Sequence, residues 1–97
     1  QVLSNMIDHG MNVQEAADAP RWTHFPGTDP RTIDREMVLR MEDGFDEETI
    51  AGLAERGHKM EEYPEVGTPG AVHHIDHDTG VHTGGTDGRC DGFPIPE

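Results

Sequence analysis

The 97-residue sequence predicts an α+β chain, helices layered on sheet, with elements in the order α-α-β-α-β-β-β. Three observations predict it. Apolar residues recur at helical spacing at the start of the chain and again after Asp46. From Met37 the pattern switches to period two, as in a half-buried strand. Asp78-Thr79-Gly80 then offers hairpin-turn chemistry between two extended runs.

Val2, Leu3, Met6 and Ile7 make one apolar stripe over two helical turns. Gly10 is a natural stop, because glycine accepts the left-handed conformation. Asn12 reads as a new N-cap, and Glu15 three residues on completes a capping box. Val13, Ala16 and Ala17 form that helix's apolar side. Ala19 precedes Pro20 and is pushed out of the helical region. Residues 21–24 form a short extended segment, and 25–31 a loop rich in turn residues. Met37, Leu39 and Met41 fall on one strand face; Val38, Arg40 and Glu42 fall on the other. The next helix has Asp46 as N-cap, with Glu47 and Glu48 at the positive end of its dipole. Phe45 and Ile50 suit a hydrophobic staple. Ile50, Leu53 and Ala54 are its expected buried stripe, and Gly57 ends it. Residues 59–63 alternate and predict a strand that stops at Pro64. Residues 65–70 read as loop, 72–77 and 81–83 as a hairpin, and 84–97 as a tail without period.

Composition excludes several functions. Twenty acidic residues against seven basic ones give a net charge of −13, unsuited to a nucleic-acid backbone or an anionic membrane surface. One cysteine, Cys90, cannot form an internal disulfide or a paired-cysteine zinc site. No apolar run reaches membrane-spanning length. Gln1 is not an initiator methionine, so the chain is expected to be a piece of something longer.

Four groups of residues invite a chemical reading. His73, His74, His77 and His82, with Asp76 and Asp78, are competent metal ligands, but their spacing fits no standard motif. A solvated hairpin with a histidine-rich polar face accounts for them better, because a bare hairpin gives ligands little outer support. Cys90 lies between Arg89 and Asp91 in a glycine-rich tail, without the helix start or base that an activated thiol needs. Asp43, Asp46, Glu47 and Glu48 could pair as acid and base or bind calcium, yet capping explains them. Trp22 and Phe25 could stack on a ligand or pack in a core. Ser4 has no nucleophile elbow and no positioned base. No catalytic residue, metal ligand or cofactor follows from these patterns.

Three ordered blocks then carry a resemblance. Asn5, Ile7, Asp8, Gly10 and Met11 fit an "N-x-I-D-x-G-M" pattern. Glu15, Ala16, Ala19, Pro20 and Arg21, followed by Trp22 and His24, fit "E-A-x-x-A-P-R" with its aromatic and histidine. Gly84-Gly85-Thr86-Asp87-Gly88-Arg89-Cys90-Asp91-Gly92 fits a closing "G-G-x-D-x-R-x-D-G". The chain resembles the γ-glutamyltranspeptidase family over nearly its whole length, in the C-terminal part of the small subunit. The resemblance implies residues 1–97 as one partial domain of an N-terminal-nucleophile hydrolase, an αββα sandwich. It implies a self-cleaving precursor whose new N-terminal threonine attacks a γ-glutamyl amide, its amino group serving as base, with an oxyanion hole for the intermediate. Some relatives act on acylated cephalosporins or poly-γ-glutamate.

The implied nucleophile, glutamate-binding carboxylates and oxyanion glycines all align upstream of Gln1, so no catalytic or substrate-binding residue carries over. Pro20, Arg21, Asp87 and Arg89 match motif positions and are expected to be structural, locking loops through arginine contacts to carboxylate or carbonyl. The implied partners are the rest of the same precursor (the large subunit and the N-terminal part of the small one) and a small γ-glutamyl substrate. No nucleic acid or membrane is expected. The chain alone is expected to be inactive. The alternative is a free-standing acidic binding module with a weak histidine-rich metal site.

Overall fold

A computed structural model describes residues 1–67 and 70–95. The elements are α1 (Val2–Ile7), α2 (Val13–Asp18), β1 (Trp22–Phe25), β2 (Val38–Met41), α3 (Glu47–Glu55), β3 (Met60–Glu62), β4 (Ala71–Ile75) and β5 (His82–Thr86). The extended segment expected at 21–24 is a true strand, so the order becomes α-α-β-β-α-β-β-β. Its Trp-Thr-His-Phe sequence does not alternate apolar with polar residues, which is why its pairing did not register. The chain divides into two compact units, residues 1–19 with 68–97, and residues 20–67.

In the first unit α1 and α2 precede the β4–β5 hairpin. The capping box of α2 is complete. The Asn12 side chain accepts from the Gln14 and Glu15 amides at 3.0 and 2.9 Å, and the Glu15 carboxylate accepts from the Asn12 amide at 2.9 Å. Val13, Ala16 and Ala17 are buried as expected. The hairpin pairs Ala71 with Thr86 through Ile75 with His82. Its turn is held by Asp76, whose carboxylate accepts from the Asp78 and Thr79 amides, and Gly80 takes φ +72°.

β5 runs through Gly84, Gly85 and Thr86, which the sequence pattern assigns to the unstructured tail. Gly85 explains the difference. A Cβ there would stand 2.9 Å from the Val13 carbonyl carbon and oxygen, so only glycine lets α2 lie this close to the strand. Gln14 closes the same junction: its amide nitrogen donates to the Thr86 carbonyl at 2.7 Å, and its oxygen accepts from the Thr86 amide at 3.2 Å.

In the second unit β2 is the central strand of the order β1-β2-β3. β1 pairs antiparallel with it (Trp22 with Met41, Phe25 with Val38), and β3 pairs parallel (Leu39 with Met60, Met41 with Glu62). A parallel pair needs a crossover, and α3 supplies it. Asp46 accepts from the Thr49 amide at 2.6 Å at the start of α3. Its end is a Schellman motif: Gly57 at φ +92° donates to the Ala54 carbonyl and His58 to the Leu53 carbonyl.

Leu39, Met41 and Val66 are the buried apolar residues of this unit, while Met37 is 66% exposed. The stripe expected on α3 is not buried: Leu53 is half-buried, and Ile50 and Ala54 are exposed. In α1, Leu3 and Ile7 are 69% and 78% exposed. Helical periodicity identifies an apolar face, and nothing described covers these two.

Candidate functional site

The best-organised polar cluster lies in the first unit, around Asp87 and Arg89. Asp87 follows β5, and its side chain is completely buried. The Arg89 guanidinium donates to Asp87 Oδ1 at 2.8 Å, and the Arg89 amide donates to the same oxygen at 2.9 Å. The guanidinium also reaches α2, donating to the Ala17 and Ala19 carbonyls at 3.2 Å each. These carbonyls lie at the helix end and have no onward helical donor. One arginine thus neutralises a buried carboxylate and caps the C-terminus of α2, a task suited to its planar fork of donors. Gly88 adds a bond from its amide to Asp18 Oδ1 at 3.4 Å.

Pro20 and Arg21 sit in the second unit beside a group that sequence reasoning missed. Glu42 follows β2 and is 7% exposed. Its carboxylate accepts from the Arg21 amide at 2.9 Å and from the Val66 amide at 2.7 Å. The Glu42 amide donates to the Arg21 carbonyl at 2.9 Å. The start of β1, the end of β2 and the loop after β3 therefore converge on one carboxylate. The alternation of β2 put Glu42 on the polar face, so nothing in the pattern marked it for burial. Pro20 packs where a Cβ on Gly44 would stand, at 3.4 Å, and Gly44 takes φ +110°.

The remaining candidates do not assemble catalytic chemistry. Cys90 is exposed, and its thiol points to the Asp87 carbonyl at 3.3 Å. The Ser4 hydroxyl donates to Asp8 at 2.7 Å. Asp46 serves as a cap, and the Thr49 amide it accepts from holds its carboxyl below the usual range. Trp22 and Phe25 stand three residues apart on one strand and so face opposite sides. They do not stack; Phe25 instead carries the Arg40 guanidinium 3.9 Å from its ring centre. His73 and His82 meet across the hairpin, His74 lies on the other face, and His77 lies in the turn. Among the described residues no three metal-ligating side chains come together. An open cavity of about 440 Å³ in the second unit is lined by Arg35, Glu36, Arg40, Lys59 and Glu61 among others. Its charges are largely spent internally, in the pairs Arg40–Glu61 at 2.7 Å and Lys59–Glu36 at 2.6 Å. No serine, threonine or cysteine is among its lining residues.

Comparison with known proteins bears on this arrangement. The sequence pattern described as gamma-glutamyltranspeptidase matches residues 1–96. The chain is 35% identical over 97 residues to an acylase ACY 1 proenzyme of Pseudomonas sp. (strain V22), covering 98% of this chain and 15% of that protein. It is 34% identical over 98 residues to the glutathione hydrolase-like YwrD proenzyme of Bacillus subtilis (strain 168), covering 97% of this chain and 18% of that protein. The fold matches a crystal structure of cephalosporin acylase from Bacillus halodurans with a TM-score of 0.74 and 34% identity, over 94% of this chain and 16% of that one. The chain therefore spans under a fifth of the length of each of these relatives.

Proposed function

The chain belongs to the gamma-glutamyltranspeptidase family, and from that premise we propose that residues 1–97 are the C-terminal segment of the small subunit of a self-processing enzyme. The enzyme would transfer or hydrolyse γ-glutamyl groups of glutathione-like donors. The segment would provide structure to a site built by the rest of the precursor. In this reading the nucleophile, the oxyanion donors and the substrate carboxylate clamp all come from the rest of the precursor.

The observation that carries this reading is the Asp87–Arg89 lock. It ties the third motif block to the second, through the Ala17 and Ala19 carbonyls just before Pro20-Arg21. Residues far apart in sequence that spend their polar groups on each other are framework. Two of the relatives named above are proenzymes, one an acylase and one glutathione hydrolase-like, and these names support the substrate class.

Two measurements test the reading. The isolated chain, offered a chromogenic γ-glutamyl anilide or an acylated cephalosporin, is expected to release no product. Turnover by the isolated chain overturns the structural role. In a full-length proenzyme, Arg89→Ala is expected to lower the yield of folded, processed protein while leaving kcat of the surviving fraction nearly intact. Normal yield and processing with a large fall in kcat would instead place Arg89 in the chemistry.

A further inference from the structure

The reading above leaves the histidine pair of the hairpin unused. In the β4–β5 register His73 lies opposite Gly84, and Ile75 opposite His82. These four residues project from one face, with the two imidazoles as diagonal neighbours. His73 Nε2 and His82 Nδ1 stand 3.0 Å apart, with ring centroids separated by 5.0 Å and ring planes tilted by 47°. Both side chains are exposed to solvent. With no metal bound, one ring nitrogen donates its N–H to the lone pair of the other.

We propose that His73 and His82 form a two-imidazole chelating site for a late first-row divalent cation, Cu(II) or Ni(II) ahead of Zn(II), with water in the remaining positions. The separation carries the argument. With metal–nitrogen bonds of about 2.0–2.1 Å, two ligands at a right angle stand about 2.9 Å apart, and two at the tetrahedral angle about 3.4 Å apart. The observed 3.0 Å is close to the right-angle value, the angle of the tetragonal centres that Cu(II) and Ni(II) prefer. In the hydrogen-bonded pair the two nitrogens face each other, so binding needs each ring to turn until both lone pairs meet at the metal. The proton shared between the rings moves to the other nitrogen of its own ring. Two neutral imidazoles then offer two lone pairs with no net proton loss.

The support around the pair is local. The turn beyond it is fixed by the Asp76 carboxylate, which sets the register that brings residues 73 and 82 together. Gly84 leaves no Cβ across from His73, and the Pro94 ring fills that space, 2.8 Å from where the Cβ would be. His74 projects from the opposite face, so it does not complete the set.

The test is titration of the chain, free of any affinity tag, with Cu(II) and Ni(II) by calorimetry, with the electron paramagnetic resonance spectrum of the Cu(II) complex. One equivalent is expected to bind, with two nitrogens in the copper spectrum. His73→Ala and His82→Ala should each weaken binding on the order of tenfold or more, because a chelate loses its second ligand. His74→Ala should leave it unchanged. Undiminished affinity in His73→Ala overturns the site. So does full affinity in concentrated urea, where the hairpin is gone and only the seven histidines of the composition remain. A copper spectrum with one nitrogen, or with three or more, overturns it even if a variant misfolds.

Discussion

Glu42 is the residue on which the second unit depends most. Its carboxylate is buried and serves the Arg21 and Val66 amides together. Replacing it with alanine takes the acceptor from one buried amide and one part-buried amide. Glu42→Ala is expected to cost about 2–4 kcal/mol in urea-induced unfolding. Glu42→Gln keeps the shape but offers one accepting oxygen, and should cost about half as much by the same reasoning. Asp46 makes a prediction in pH. Accepting the Thr49 amide holds its folded carboxyl below the usual carboxylate range. A depressed carboxylate contributes stability that is present above the unfolded value and is lost as pH falls through the folded one. Protection factors of the first turn of α3, taken against the intrinsic exchange rate at each pH, should therefore fall as the pH drops below the normal carboxylate range. Asp46→Asn, which caps without titrating, should flatten that dependence. Of these two residues the sequence disclosed only Asp46. A cap is a local pattern, three residues long, whereas the burial of Glu42 depends on Val66, which arrives from beyond α3.

At the scale of the element, the α2–β5 junction sets a strict requirement. Gly85→Ala puts a methyl 2.9 Å from the Val13 backbone, where no side chain can yield. The strand and helix must separate, at an expected cost of about 1–3 kcal/mol in thermal or urea unfolding. Asn12→Ala opens the capping box of α2 and should cost about 1 kcal/mol by the same measurement. The two effects differ in legibility. The box is written in the sequence as Asn12 and Glu15, and the structure contains it in full. The extent of β5 was not legible, because Gly84 and Gly85 have no strand propensity and only the approach of α2 gives them a reason to be there. α3 shows a third case. Its cap, its Schellman end and its length follow from Asp46, Gly57 and the stripe between them. Its burial does not, since an amphipathic pattern says which face is apolar and not what lies against it.

At the scale of the whole molecule, the apolar faces and the relatives' lengths agree. Leu3, Ile7, Phe93 and Ile95 are 69–85% exposed, and the chain spans 15% and 18% of two curated relatives. Large exposed apolar groups in a soluble chain usually mark a surface made for contact. If the chain is a segment of a longer enzyme, amides of α1 should exchange rapidly in the isolated chain and slowly in the full-length protein. β2, already paired on both sides, should change less. Equal exchange of α1 in both would count against the segment reading.

The Arg89 lock also has a consequence for the order of events during synthesis. The carbonyls it caps belong to residues 17 and 19, and the Gln14 bonds to Thr86 span 72 positions. A ribosome delivers α2 early and its strand partner late. Until residues 82–89 emerge, the helix has a complete N-terminal box and an uncovered apolar side. A nascent chain stalled before residue 84 would present Val13, Ala16 and Ala17 to solvent and to chaperones. They are covered only once residues 82–89 have cleared the exit tunnel, so α2 gains its strand partner and its C-terminal cap together.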